Sequence, residues 1–138
     1  DGYTKEEHKM INETKKILHD YDLSISATCV RVPVFYCHSE VVSVDFEEDI
    51  DIQEVVSLFS ESDGIKLIGN GKNENYPTPN MVEGEDDIFI GRIRKDLSND
   101  KGINFWLVSD NLRKGAALNA IQIMESAIKL GRIPNFDS

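Results

Sequence analysis

Residues 24–46 read SISATCVRVPVFYCHSEVVSVDF, and the spacing of apolar side chains changes here from helical to period two. From Ser24 onward, Ile25, Ala27 and Cys29 fall on one face, a pattern typical of a half-buried strand. A second β-rich run covers residues 40–46. Because proline has no amide N–H to donate to a sheet, Pro33 predicts a strand end or a bend between the two runs.

Amphipathic helices are predicted on both sides of this stretch. Thr4 and Glu7 form the capping box of a first helix, whose apolar stripe continues at steps of three and four residues. Residues 52–59 repeat helical spacing, and a last helix is predicted from residue 109 or 110 to residue 130.

Two further strands are predicted at residues 88–95 and 103–108, preceded by a long loop over residues 69–87 that is rich in Gly, Asn, Pro and acidic residues. Loops of this length are often functional or interfacial. Helices flanking a mostly antiparallel sheet fit this order of elements better than a doubly wound parallel sheet does. The predicted fold class is therefore α+β, a single domain over residues 1–138 with a mostly antiparallel mixed sheet flanked by helices.

Composition limits the classes of function. The 138 residues include 25 Asp and Glu against 15 Lys and Arg, a formal net charge of −10. That balance argues against nucleic acid or an anionic membrane as the main partner. No apolar run approaches the roughly 20 residues of a membrane span. Only two cysteines, Cys29 and Cys37, are present, which excludes a disulfide scaffold and favours a reducing, cytoplasmic compartment.

Nucleotide-binding signatures are absent from the sequence. It contains neither G-x-G-x-x-G nor a Walker-type loop, and its nearest glycine cluster, residues 69–72, opens no predicted helix. A nucleotide site carried wholly by this chain is therefore not expected.

Arg31 and His38 are the first candidates for chemistry. An unbroken strand would hold them about 23 Å apart at roughly 3.3 Å per residue and point them to opposite faces, whereas a turn at Pro33 would let both reach the end of the sheet. Arg31 offers a planar fork for a carboxylate, and His38 a general base near neutral pH. The alternative interpretations are that Arg31 is a surface ion-pair residue and that His38 is a polar strand residue.

Two other places offer charged or polar groups. Glu6 and Lys9 have the spacing of a solvated helical ion pair, or else grip a cation and an anion separately. Residues 109–112 either cap the last helix or hold an anionic cofactor group on free N–H groups. The cysteines and histidines lack zinc-ligand spacing, so no metal site is predicted. Cys37 and His38 point opposite ways on a strand, which disfavours a thiol–imidazole pair.

Four blocks of sequence resemble the aspartate-semialdehyde dehydrogenase family, in the family's order. Residues 29–33 (CVRVP), followed by 37–39 (CHS), look like its substrate-and-base segment, and residues 4–9 with 13–18 resemble the helix before it. Residues 91–96, and residues 109–112 with 115–117, resemble two later blocks. Together the blocks span nearly the whole chain.

The resemblance implies an activity, a fold and partners. The family reduces aspartyl β-phosphate to aspartate semialdehyde with NADPH through a cysteine thioester, a step toward lysine, methionine and threonine. The implied fold is the C-terminal substrate-binding and dimerisation domain shared with glyceraldehyde-3-phosphate dehydrogenase. The implied partners are the small-molecule substrate and a second copy of the chain.

The same resemblance implies roles for five residues. His38 is the acid/base that activates the cysteine, and Arg31 holds the substrate carboxylate. Glu6 holds the substrate amino group and Lys9 helps to bind the phosphate. Asn111 matches a position near the nicotinamide of NADP.

The sequence departs from the family in two respects. The family's nucleophilic cysteine belongs to an Asn-Cys motif that neither Cys29 nor Cys37 matches. Its N-terminal dinucleotide-binding fold, which holds most of the NADP, has no counterpart here. The chain is therefore expected to be the C-terminal part of a longer enzyme and inactive alone. The alternatives are a catalytically silent dimerisation or ligand-binding module, with the Trp106 strand and residues 69–87 as its interface, and a related acyl-phosphate reductase domain.

Overall fold

A computed structural model of the chain describes residues 1–69 and 75–133. Its contacts form two compact units, Asp1–Pro33 (unit one) and Val34–Ser138 (unit two). Among the described residues, no helix combines the length and the apolar character needed to cross a membrane.

Unit one is built on helix α1, Lys5–Leu18. The predicted capping box is confirmed: the Glu7 amide donates to the Thr4 hydroxyl at 3.2 Å, and the Thr4 amide donates to the Glu7 carboxylate at 2.6 Å. These bonds satisfy two amides that the first helical turn leaves without backbone partners. The helix ends at His19, whose backbone is left-handed at φ 55°.

Residues 23–32 differ from the predicted strand. Burial alternates as expected, with Ile25, Ala27 and Cys29 half-buried, but within the described part of unit one these residues pair with no strand. Alternating burial shows only that the segment has one buried and one exposed face. A strand also needs a neighbouring strand to complete its ladder of backbone hydrogen bonds. Here the neighbour is a side chain, because the Cys29 amide donates to the Glu7 carboxylate at 2.8 Å.

Unit two contains a four-stranded sheet in the order β1-β4-β3-β2. β1 and β3 pair antiparallel with β4, and β2 pairs parallel with β3. The sheet is mixed and mostly antiparallel, which confirms the predicted fold class. The elements are β1 (His38–Asp45), α2 (Ile52–Glu61), β2 (Ile65–Leu67), α3 (Pro79–Val82), β3 (Ile88–Lys95) and β4 (Gly102–Ser109).

Apolar side chains form two buried clusters in unit two. The first joins Val55 of α2 to the strand residues, and its Phe105 is in edge-on contact with Phe59; the strand members are Ile90, Ile93, Ile103 and Phe105. The second comprises Cys37, Val82, Phe89 and Val108. Burial of such side chains stabilises the fold by roughly 1.5–3 kcal/mol each. The second cluster holds α3 and the start of β1 together.

The predicted loop over residues 69–87 contains more structure than the sequence indicates. Residues 70–74 lie outside the described part of the chain, as does most of the glycine cluster. Beyond them, Pro77 and Val82 are buried, and α3 forms a single turn. The three-residue strand β2 is also missed by the sequence analysis, because three residues are too few to show a period. Pairing with β3 and the Lys66 ion pairs with Glu85 and Asp87 hold β2 in place.

The last helix is interrupted near its start. A kinked helical segment at Arg113–Ala117 precedes α4, Leu118–Lys129, and Ala116 departs from helical geometry with φ −137° and ψ −126°. The predicted continuous helix is therefore wrong at this point. Glycine is a poor helix former, and Gly115 immediately precedes the break.

Candidate functional site

His38 and Asn111 lie at the same end of the sheet in unit two. His38 is the first residue of β1 and pairs with Ser109, the last residue of β4. Asn111 follows Ser109 by two residues. His38 is exposed and Asn111 is half-buried. A solvent-accessible imidazole at a strand end suits proton exchange with a bound molecule.

Cys37 has a different environment from its neighbour His38. Its backbone is left-handed at φ 70°, and its buried thiol donates to the Pro79 carbonyl oxygen at 3.5 Å. Burial, together with the negative charges of Asp110 and Glu83, raises the pKa of the Cys37 thiol. Since the thiolate is the nucleophilic form, this environment disfavours a nucleophilic role.

Asp110 caps the start of the last helical segment. Its carboxylate accepts the Leu112 amide at 2.8 Å, and its backbone carbonyl accepts the Lys114 amide at 2.8 Å. Of the two interpretations offered by the sequence for residues 109–112, the cap is the one the structure shows. The Asp110 carboxylate already occupies the helix end at which an external anion would bind.

Glu6 and Lys9 form an exposed ion pair in unit one, with the Lys9 ammonium 3.2 Å from the Glu6 carboxylate. The hydrogen bond from Lys9 to Glu6 raises the pKa of Lys9. The structure therefore brings these two candidates together on the first turns of α1.

Glu7 connects that helix to the segment that carries Arg31. One carboxylate oxygen accepts the Thr4 amide and the other accepts the Cys29 amide, two residues before Arg31. Glu7 is buried, while Arg31 is exposed. The sequence predicts only a capping-box role for Glu7; a box of this kind uses one carboxylate oxygen, which leaves the second free for a tertiary contact. Glu7 thus fixes the Arg31 segment to the turn that bears Glu6 and Lys9.

Glu7→Gln is expected to lower the melting temperature by a few degrees at pH 7 and by less near pH 3. The Thr4 and Cys29 amides lower the pKa of Glu7 from its ordinary 4.5. The resulting stabilisation is present above that ordinary value and is lost as pH falls through the lower, folded-state pKa. Thermal unfolding of both proteins at each pH measures the effect, and hydrogen exchange at the Cys29 amide should be faster in the variant.

The matched control is Glu13→Gln on the exposed side of the same helix. It should change the melting temperature little at either pH. An equal loss at pH 7 and pH 3 for Glu7→Gln would show that the charge of Glu7 is not what stabilises unit one.

Arg31 and His38 belong to different units, and their convergence stays a prediction. The backbone bends at Pro33, as the sequence indicates. Among residues 1–69 and 75–133, no group of three or more His, Cys, Asp or Glu side chains is arranged to hold a metal ion.

Comparison with known proteins identifies the family. A family model described as semialdehyde dehydrogenase, dimerisation domain, matches residues 1–114. The chain is 51% identical over 133 residues to the aspartate-semialdehyde dehydrogenase of Aquifex aeolicus and 47% identical over 133 residues to that of Bacillus subtilis, which covers 96% of this chain in each case. Those matches cover 39% and 38% of the relatives, so the chain spans about two fifths of their length.

Solved structures show the same similarity in three dimensions. The crystal structure of aspartate semialdehyde dehydrogenase II from Vibrio cholerae complexed with ASA matches with a TM-score of 0.85 at 46% identity, covering 93% of this chain and 38% of that one. A probable aspartate-semialdehyde dehydrogenase from Pseudomonas aeruginosa matches with a TM-score of 0.83 at 32% identity, with the same coverage. Because the family model matches well over half of the sequence, the chain belongs to the semialdehyde dehydrogenase family, in the region of its dimerisation domain.

Proposed function

We propose that this chain is the C-terminal substrate-binding and dimerisation portion of an NADP-dependent aspartate-semialdehyde dehydrogenase. The observation that carries the proposal is the location of the candidate residues. All five lie within the matched residues 1–114. Glu6, Lys9 and Arg31 belong to one hydrogen-bonded unit, and His38 and Asn111 to one strand end of the other.

The charges of the candidate residues complement those of aspartyl β-phosphate. That molecule carries a carboxylate, an ammonium and a phosphate, for which Arg31, Glu6 and Lys9 supply opposite charges. In the free chain Glu6 and Lys9 neutralise each other. Exposed ion pairs contribute little stability, so separating Glu6 from Lys9 to bind the substrate's ammonium and phosphate groups costs little. Binding at these three points would orient the acyl carbon for attack.

His38 moves the proton in this proposal. It accepts the proton of an attacking thiol that lies outside this chain. The sulfur then forms a bond to the acyl carbon, and phosphate leaves with the electrons of the broken C–O bond. When the aldehyde is released, the C–S bond breaks with its electrons on the sulfur, and His38 returns the proton to the resulting thiolate. The nicotinamide cofactor, when bound, supplies the hydride that reduces the acyl group.

Asn111 is the candidate contact to that cofactor. Its amide can both donate and accept hydrogen bonds, as a nicotinamide carboxamide requires, and it lies at the same sheet end as His38. The sequence has no glycine-rich phosphate loop, so we assign most of the NADP site to the remaining three fifths of the enzyme's length.

A second copy of the chain is the proposed partner. β1 is an edge strand, and Val41 on it is 67% exposed. Edge strands with exposed apolar side chains are commonly covered by a symmetric neighbour. We propose a cytoplasmic homodimer that acts on the route to lysine, methionine and threonine.

A chimera tests the proposed function. This chain replaces the matching 133 residues of the Aquifex aeolicus enzyme, which is 51% identical over that stretch. The chimera should reduce NADP⁺ when given aspartate semialdehyde and phosphate, and the chain alone should not.

Two other outcomes separate the alternatives. A folded chimera without turnover would favour the silent dimerisation or ligand-binding module. Equal turnover of a semialdehyde without the α-amino group would favour another acyl-phosphate reductase.

A further inference from the structure

Asp110 is a buried carboxylate whose two oxygens join separate parts of unit two. Asp110 is only 4% exposed. One oxygen accepts the Gly84 amide at 2.9 Å and the other accepts the Leu112 amide at 2.8 Å. A buried charge is costly unless it is hydrogen-bonded, so these two amides fix the orientation of the carboxylate.

Residues 77–84, which we call the brace, meet the sheet end that carries His38. The Trp106 indole N–H donates to the Pro77 carbonyl oxygen at 2.8 Å, and the Cys37 thiol donates to the Pro79 carbonyl oxygen. Asp110 adds the third contact through Gly84. Cys37 immediately precedes His38 in the chain, and Asp110 immediately precedes Asn111. The brace is therefore attached to the residues next to both candidates.

We propose that Asp110 is a positioning residue for His38 in the proposed reaction, because it holds the strand end that bears His38 against the brace. This inference rests on the proposed function. Both Asp110 oxygens are engaged by backbone amides, so the residue acts through its neighbours and does not contact the substrate. The Gly84 amide lowers the pKa of Asp110, which keeps the carboxylate ionised at neutral pH.

Asp110→Ser in the chimera separates the contact to the brace from the helix cap. A serine hydroxyl still caps a helix, but it is too short to reach both amides. We expect kcat to fall by about 10- to 100-fold, since a displacement of about 1 Å in a catalytic group can cost as much as 10²-fold. The KM for aspartate semialdehyde should change by less than about twofold, because Arg31, Glu6 and Lys9 lie in unit one.

A double-mutant cycle with His38→Asn distinguishes positioning from a general structural role. If Asp110 acts through His38, Asp110→Ser should cause less than about a twofold further loss of kcat in the His38→Asn chimera. A purely structural effect would lower kcat by the same factor in both backgrounds.

Asp86→Asn is the matched control. Asp86, two residues beyond the brace, pairs at an exposed position with Arg113, three residues after Asp110. It should leave kcat unchanged.

The outcomes separate the two proposals. Unchanged kcat in Asp110→Ser, or an equal loss in both backgrounds, overturns the role of Asp110. Wild-type turnover in His38→Asn overturns the acid/base role of His38, whereas a folded chimera without any turnover overturns the proposed function itself. Should Asp110→Ser fail to fold, Asp110→Asn, which keeps the side-chain volume and one acceptor oxygen, enters the same cycle with the same expected results.

Discussion

Replacing His38 by Asn in the chimera is expected to lower kcat by about 10²–10⁴-fold, the usual contribution of a positioned acid/base. Asparagine keeps a similar polar shape but cannot take the proton of the attacking thiol. His38 is exposed at the first position of β1, so the fold should tolerate the change. Steady-state kinetics with thermal unfolding measures both parts of the prediction, and the KM for aspartate semialdehyde should stay within about twofold of its original value.

His19→Asn is the matched control for this substitution. It makes the same chemical change at an exposed residue that ends α1. His19 adopts a left-handed backbone, which asparagine accommodates readily, so neither stability nor turnover should fall. Equal activity of the His38→Asn and unmodified chimeras would remove His38 from the acid/base role.

Replacing Arg31 by Leu is the second large effect we expect. It should lower kcat/KM for aspartate semialdehyde by about 10–150-fold, because a hydrogen bond to a charged group contributes about 1.5–3 kcal/mol. The substrate carboxylate would then lie against an apolar side chain without a partner.

Arg31→Lys tests how much of this interaction depends on charge alone. It keeps the positive charge but loses the paired N–H groups that match a carboxylate, so its kcat/KM should fall between the other two proteins. An unchanged dependence of rate on substrate concentration in Arg31→Leu would exclude Arg31 from the site.

Local sequence patterns correctly predicted the elements that carry a local cap or a strongly periodic run of apolar residues. The capping box located the start of α1, and β-rich runs located β3 and β4 to within one residue at each end. β2 was missed because its three residues depend on pairing with β3 and on the ion pairs of Lys66. The strand predicted after Ser24 was wrong because alternating polarity does not supply a pairing partner.

The residues of the candidate site also differ in how far the local sequence predicts their roles. Residue chemistry alone favoured structural interpretations of Arg31, His38, Glu6 and Lys9, and only the family resemblance selected functional roles for them. The hydrogen bonds of Glu7 to Cys29 and of Asp110 to Gly84 span 22 and 26 residues. No local spacing encodes contacts over such distances along the chain, although each begins at a residue that the sequence identifies as a helix cap.

The central claim is that Arg31 and His38 serve one substrate, and a crystal structure of the chimera with bound aspartate semialdehyde measures this directly. The Arg31 guanidinium should lie within hydrogen-bonding distance, about 3 Å, of the ligand carboxylate, with the His38 imidazole facing the reacting carbon of the same molecule. A bound ligand contacted by only one of these side chains, with the other directed into solvent elsewhere, would show that Arg31 and His38 do not serve one substrate.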